Sequence, residues 1–177
     1  MSEQDAIRQL NTWGGQPLPL SASRWHQGRL TVRLSGARAA VEAAVQKMGG
    51  QLLQDADAFW DSLREQRHAF FADTSQGLWR LSVPTVAASL QLPGEQLIEW
   101  GGAQRWVWSD DAAEKVRDLA RSLGGHAVCF DIRQAQRIGL LEVFDRPSAA
   151  LMAVHQRLKQ TFDPQGVFNP GRLYRDM

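Results

Sequence analysis

The sequence has few of the features that cross-link a chain or carry it through a membrane. Cys129 is the single cysteine among 177 residues, so no disulfide can form within the chain. A lone thiol suits a reducing compartment and predicts a cytoplasmic location. No run of about 18 apolar residues occurs, so no transmembrane segment is predicted. The polar segment Met1 to Asn11 lacks the apolar core of a signal peptide.

Charge of one sign is also scarce. The net charge is +1, with 22% charged residues and no run of like charges. Because nucleic-acid binding usually needs a concentrated basic face, no nucleic-acid partner is expected. The apolar fraction of 44% is typical of a globular protein. A chain of this length can bury a hydrophobic core without the help of disulfides or metal ions. We predict one domain over residues 1–177.

Residue patterns that would supply chemistry are missing as well. The four histidines do not stand at metal-ligand spacing from each other or from acidic residues, so no metal site is predicted. His126 and Cys129 fall on opposite faces of a predicted strand, and we interpret Cys129 as a buried structural residue. No GxSxG, GxGxxG or Walker A motif occurs, and the glycine pairs are isolated. No catalytic residue can be named, and no loop offers consecutive amides to a pyrophosphate.

Two segments repeat one pattern at an offset of 75 residues, 29–53 and 104–128. Leu30, Val32 and Leu34 alternate with polar residues, as in a strand. A helical stripe follows in each segment, and it ends at a Gly-Gly pair suited to a left-handed C-cap. Ser35 and Asp110 stand where N-caps are expected. The stripes are Val41, Ala44, Val45 and Met48, then Val116, Leu119, Ala120 and Leu123.

A further strand precedes each segment, at Leu18 to Trp25 and at Gln96 to Trp100, and a glycine-containing turn joins it to the next strand. Each half therefore has the pattern β-β-α-β. We predict an α+β fold in which two duplicated ferredoxin-like halves share one antiparallel or mixed sheet, with helices on one face. Between the halves we predict a helix from Asp55 to Arg67 and a strand from Leu78 to Val83. A last helix should begin near Pro147, with a stripe of Leu151, Val154, Leu158 and Phe162.

The strand alternation leaves one sheet face with polar and aromatic residues: Arg29, Thr31, Arg33, Trp106 and Trp108. Two exposed tryptophans would form a patch typical of an interface. Either the last helix or the tail covers these rings, or a missing domain or flavin-bearing partner packs on them. Arg33 and Arg80 are candidates to bind a substrate carboxylate, because guanidinium groups bind carboxylates in a bidentate manner. The alternative for each is a solvated or salt-bridged surface arginine.

The C-terminal residues 162–174, FDPQGVFNPGRLY, contain two predicted turns around a Val-Phe pair. They resemble the end of FAD-linked oxidases of the vanillyl-alcohol-oxidase superfamily. Within that group, five further segments resemble the E-subunit family of glycolate oxidases, from about Leu10 to the tail. These segments are residues 10–23, 59–71, 77–84, 97–108 and 124–128.

The resemblance implies a two-part subunit, with an N-terminal domain that binds FAD and a C-terminal cap that lines the substrate pocket. It also implies a flavin-bearing D subunit and an iron–sulfur F subunit as partners in oxidising glycolate to glyoxylate. This chain resembles the cap only, so we expect it to lack the FAD-binding domain, and we expect FAD only in the complete subunit. The isolated chain is predicted to be inactive, and any membrane association would be through partners. Asn169 and Arg172 match the tail motif and are expected near the flavin domain.

The chain departs from the catalytic D-type relatives because it has no counterpart of their HxGDGNxH segment. A supporting or electron-relaying role is therefore favoured over direct hydroxy-acid oxidation. A second hypothesis stays open, in which the chain is a stand-alone ferredoxin-like module that binds a ligand or scaffolds a complex without catalysis.

Overall fold

The computed structural model describes residues 1–72, 75–90, 92–137, 139–140 and 142–177. The strands are β1 (Leu20–His26), β2 (Arg29–Leu34), β3 (Leu78–Ser82), β4 (Gln96–Glu99), β5 (Gln104–Trp108) and β6 (His126–Cys129). The helices are α1 (Glu3–Gly14), α2 (Arg38–Met48), α3 (Ala56–Arg64), α4 (Ala113–Ser122), α5 (Ile132–Arg137) and α6 (Ala149–Phe162). Two 3-10 turns span Ala69–Ala72 and Trp100–Gly102.

The strands form one sheet in the order β2-β1-β4-β5-β3-β6, and every described pairing is antiparallel. The predicted α+β class and antiparallel sheet are therefore confirmed. The predicted turn between β1 and β2 is confirmed too. Gln27 and Gly28 have φ angles of 48° and 78°, as a tight two-residue hairpin turn requires.

The predicted repeat holds in its hairpins and helices but not in its last strand. In the second half β6 forms, and it pairs with β3. In the first half Leu52 and Leu53 lie in an irregular segment, and Leu52 is 82% exposed. The difference has a physical reason: residues 3–7, which stand 75 positions before β3, belong to α1. The first half thus lacks the strand against which a third strand would pair.

Helix α1 was not predicted, although its sequence carries a start signal. The Ser2 hydroxyl accepts a hydrogen bond from the Asp5 amide, and Ala6, Ile7 and Leu10 are buried. The helix packs on β1 and on the turn Trp100–Gly102. Its few apolar residues are separated by polar ones, so the sequence shows only a short apolar stripe and no long periodic segment.

The predicted N-caps are wrong, and the predicted left-handed C-cap is confirmed for α4 but not for α2, where Gly49 has a ψ angle of −156°. Helices α2 and α4 begin two residues later than expected, after Ala37 and Ala112, and neither has a side-chain cap. The Asp110 carboxylate instead accepts a hydrogen bond from the Gly77 amide at 3.1 Å. Gly49 and Gly124 follow the helices with positive φ angles of 67° and 80°.

Two apolar clusters lie on opposite faces of the sheet. On the face that we call the helix face, α4 packs over Trp79, Val107 and Cys129. The prediction that Cys129 is a buried core residue is confirmed. On the opposite face, which we call the groove face, α3 and the 3-10 turn Ala69–Ala72 pack over Trp106 and Trp108. The expectation that helices cover only one face of the sheet is therefore wrong, because helices pack on both faces.

Helix α6 forms where it was predicted, with the Ser148 hydroxyl accepting from the Leu151 amide. Its predicted apolar stripe, however, faces solvent: Leu151, Val154, Leu158 and Phe162 are all exposed, while Met152 is buried. In the part of the chain that the structure describes, no helix combines the length and the apolar composition that crossing a bilayer requires.

Candidate functional site

A groove of about 950 Å³ crosses the groove face of the sheet. It is lined by parts of β1 to β5, by α3 and by the turn after β4. Three of the residues predicted from the sequence line it, namely Arg33, Arg80 and Trp106. The sequence indicated each of these residues separately, and the fold brings them to one surface.

The strand register confirms the predicted division of side chains between the two faces. Arg80 lies opposite Trp106, and Thr31 lies opposite Arg24, which in turn lies opposite Glu99. Glu99 pairs with Gln104, two residues before Trp106 on β5. Because side chains alternate along each strand, one set of residues shares the groove face. This set consists of Arg29, Thr31, Arg33, Trp106 and Trp108.

The expectation that Trp106 and Trp108 are uncovered is wrong. Their exposed fractions are 3% and 2%, because Leu63 of α3 and Phe70 of the 3-10 turn pack over them. The Trp108 indole donates a hydrogen bond to the Phe70 carbonyl at 2.8 Å. Neither α6 nor the C-terminal tail takes part in this cluster. An interface role for these rings would have to involve the small part of Trp106 that lines the groove.

Arg80 is half-buried against aromatic rings. Its guanidinium carbon lies 6.0 Å from the centre of the Trp106 ring and 5.4 Å from that of Phe130. Both distances suit cation–π contact. Among the described residues, no carboxylate lies within salt-bridge distance of Arg80. Its planar donors therefore remain available to a carboxylate ligand.

Arg33 is exposed and lies far from Arg80. The sheet order places four strand spacings between β2 and β3. At about 4.8 Å per spacing, this separates the two backbones by roughly 19 Å across the sheet. The two arginines therefore cannot both hold one short carboxylate, and Arg80 has the better-defined surroundings.

Three other charged groups of the groove, Arg64, Asp61 and Glu99, are engaged. Arg64 forms ion pairs with Asp61 at 3.2 Å and with Glu65 at 2.8 Å. The Glu99 carboxylate accepts hydrogen bonds from the Trp106 indole at 2.7 Å and from the Gln104 amide at 3.0 Å. These bonds fix the orientation of Trp106 beside Arg80.

A polar cluster next to the groove was not found by sequence reasoning. Arg24 Nη2 lies 2.5 Å from His26 Nδ1 and 3.2 Å from His68 Nε2, while His26 Nε2 lies 2.5 Å from Glu95 Oε1. Burial lowers the pKa of both imidazoles and lowers the pKa of Arg24 to about 10. The cluster ties β1 to the segment that covers the tryptophans. Arg24 and His26 are two residues apart on β1, but His68 and Glu95 are too far away in sequence for a spacing pattern to reveal the cluster.

The C-terminal tail is held by its own hydrogen bonds. The Asp163 carboxylate accepts from the amides of Val167 and Phe168, each at 2.9 Å. The predicted turn at Asn169 is confirmed, since the Arg172 amide donates to the Asn169 carbonyl at 3.2 Å and Gly171 has a φ of 66°. Asn169 and Arg172 are exposed, and neither lines the groove.

Within the described residues, no group of three or more His, Cys, Asp or Glu side chains is arranged to hold a metal ion. The groove instead presents aromatic rings and guanidinium groups, together with the carboxylates of Asp57, Asp61 and Glu99. The rings and guanidinium groups suit a planar ring system and an organic anion.

Comparison with known proteins shows two similarities. Residues 111–173 match the family of FAD linked oxidases, C-terminal domain. All 177 residues align at 41% identity with the glycolate oxidase subunit GlcE of Escherichia coli (strain K12). The chain covers 48% of that protein, its C-terminal half, and so spans about half the length of the curated relative. No solved structure matches the chain. The resemblance stated from the sequence motifs is confirmed.

Proposed function

We propose that the chain is the C-terminal, substrate-side domain of the FAD-linked E subunit of a glycolate oxidase, which converts glycolate to glyoxylate. One observation carries the proposal: the alignment with GlcE, at 41% identity, covers the whole chain and the C-terminal half of GlcE. The FAD-binding domain is then the other half of the subunit, and the isolated chain is inactive.

The groove supports a contribution to substrate binding. Arg80 is proposed to hold the carboxylate of a short 2-hydroxy acid, with its guanidinium plane set by Trp106 and Phe130. Bound FAD would supply the acceptor for the electrons of the substrate. The chain's own part is to orient the acid and to cover it from water. Arg33, at the other end of the groove, is proposed to act on the electrostatic field and not on the carboxylate directly.

The tail supports a contact with the FAD-binding domain. Asn169 and Arg172 lie on a rigid, exposed turn, and the neighbouring Val167 and Phe168 are exposed as well. An apolar surface of this kind is typical of a binding interface. Through the complete subunit we propose partnership with a flavin-bearing D subunit and an iron–sulfur F subunit. Their assembly in the cytoplasm or at the membrane follows from those partners.

A chimera tests the proposal. The N-terminal half of GlcE, which lies outside the match, is fused to this chain and expressed in Escherichia coli lacking GlcE. We expect a yellow protein that keeps FAD through gel filtration and restores glycolate oxidation measured by dye reduction. A colourless, inactive chimera would refute the proposal.

The chimera also tests the role of Arg80. Because a hydrogen bond to a charged group contributes about 1.5–3 kcal/mol, Arg80→Met should raise the KM for glycolate by roughly 10- to 100-fold. Arg33→Met removes the same charge from the same groove and serves as the matched control, with an expected change below about twofold. Equal effects of the two variants would contradict the assignment to Arg80.

One observation favours the alternative of a stand-alone ferredoxin-like module. Trp106 and Trp108 are protected by the chain's own α3 segment and need no partner to cover them. Under this alternative the chain would be a stable monomer or dimer, and fusion to the GlcE half would not lead to retention of FAD.

A further inference from the structure

Trp100 combines two features that rarely occur together. Its φ angle is +52°, in the left-handed region that a bulky residue seldom adopts. Its side chain is 69% exposed, at the rim of the groove. The strained backbone conformation is therefore not offset by burial of the ring.

The surrounding structure holds the strained turn in place. The Gly101 amide donates to the Ser23 hydroxyl at 2.8 Å. A Cβ atom at Gly102 would lie 2.7 Å from the Thr85 carbonyl oxygen, so the turn fits closely against that loop. Arg105 is 0% exposed, and its guanidinium donates to the carbonyls of Gly102, Ala87 and Ala88. The turn therefore cannot relax without breaking several buried hydrogen bonds.

The turn requires a left-handed residue at position 100, but it does not require a tryptophan. Glycine or asparagine would adopt this conformation with less strain. Strain that the surrounding structure maintains is typical of binding and functional sites. Tryptophan is also enriched among the residues that dominate binding interfaces. The ring is thus presented to solvent on a rigid support, as an anchor for a binding partner.

We propose that Trp100 is the anchor by which the FAD-binding half of the subunit docks on the rim of the groove. The inference rests on the proposed function and adds the contact residue to it. The half of GlcE that the chain does not cover is the polypeptide available to fill this place. The anchor lies on the same groove as Arg80, so the docked half would close over the proposed carboxylate site.

The groove carries both signs of charge, since Asp57, Asp61 and Glu99 line it together with Arg33, Arg64 and Arg80. Charge therefore does not select the partner, and the exposed indole is the feature that does. The docked surface should present an apolar pocket for the indole.

Trp100→Gly removes both the indole ring and the backbone strain. It should therefore weaken binding without lowering the stability of the chain. In the isolated chain we expect the Tm to rise by roughly 3 °C. In the chimera we expect the dissociation constant for FAD, measured by flavin fluorescence, to rise at least tenfold. Leu52→Gly removes another exposed apolar side chain from an irregular segment and should leave FAD binding within about twofold. Trp100→Asn, which tolerates the same backbone, should repeat the loss of FAD.

Acrylamide quenching gives a second measurement. The difference between the wild-type chain and Trp100→Gly isolates the fluorescence of Trp100, which should be accessible in the isolated chain and protected in the chimera. If the chimera holds FAD and the Trp100 variants hold it equally well, the anchor is refuted while the proposed function stands. If the wild-type chimera does not hold FAD, both are refuted. If the isolated chain forms a dimer and Trp100→Gly makes that dimer dissociate, the ring serves self-association and the inference is overturned.

Discussion

Gly125→Ala should weaken the fold far more than the equivalent change in the first repeat, Gly50→Ala. A Cβ atom at Gly125 would lie 2.0 Å from the Ser82 carbonyl oxygen and 2.8 Å from a methyl carbon of Val83. Contacts of this kind below 3.0 Å essentially do not occur, so β3 would have to retreat by about 1 Å. Gly50, at the same place in the first repeat, has nothing within 4 Å of such a Cβ.

The retreat would disturb the end of the β3–β6 pairing, where Ser82 lies opposite His126. It would also strain the bond from the Gly125 amide to the Ala120 carbonyl, at 2.8 Å. Overpacking costs about 1–3 kcal/mol, and a lost backbone hydrogen bond costs about 1 kcal/mol. Gly125→Ala should therefore cost about 3 kcal/mol and lower the Tm by roughly 6–12 °C.

Gly50→Ala meets no steric barrier, but its φ angle is +95°, which an alanine adopts at a cost of about 1 kcal/mol. Thermal unfolding followed by circular dichroism compares the two variants under the same conditions. Equal shifts in Tm would show that the two glycine pairs serve the same conformational purpose, and the argument from close approach would be refuted.

Three further predictions concern buried polar groups. Burial lowers the pKa of His26 and His68, so below about pH 6.5 the unfolded chain binds more protons than the folded one. The Tm should therefore fall as the pH is lowered from about 7 to about 5. It should fall less in a His26→Gln, His68→Gln double variant. A Tm that does not depend on pH in this range would contradict the prediction. Arg105→Met leaves three carbonyls without their donor and should cost about 3–5 kcal/mol in urea unfolding, whereas an unchanged midpoint would rule out a structural role. Burial raises the pKa of the Cys129 thiol to about 11, so iodoacetamide at about pH 8 should label the folded chain at least ~100-fold more slowly than the chain in urea.

Sequence patterns gave a good account of local structure because the forces involved are local. Alternation along β2 and β5 assigned Arg33 and Trp106 to one face, and the register confirms this. The stripe of α4 was likewise assigned correctly, with Val116 and Ala120 buried. The glycine pair after α4 marked its left-handed C-cap. Each of these conclusions needs only the geometry of one element.

The same reasoning failed where distant segments compete for a surface. The segment that includes Leu63 and Phe70 covers Trp106 and Trp108, while the predicted stripe of α6 remains in solvent. Both segments are amphipathic, and nothing in either pattern states which sheet face it will meet. The choice depends on the length of the connections and on the shape of the whole sheet.

By itself, the sequence determined the class of fold, the pairing of the hairpins, the division of side chains between faces, and the resemblance to FAD-linked oxidases. Only the tertiary structure decided that β3 lies between β5 and β6, that Arg33 and Arg80 stand roughly 19 Å apart across one groove, and that Trp100 is held outward in a strained turn. The physical reason is that periodicity reports which side of an element is apolar. The distances between elements follow from how all of them pack at once.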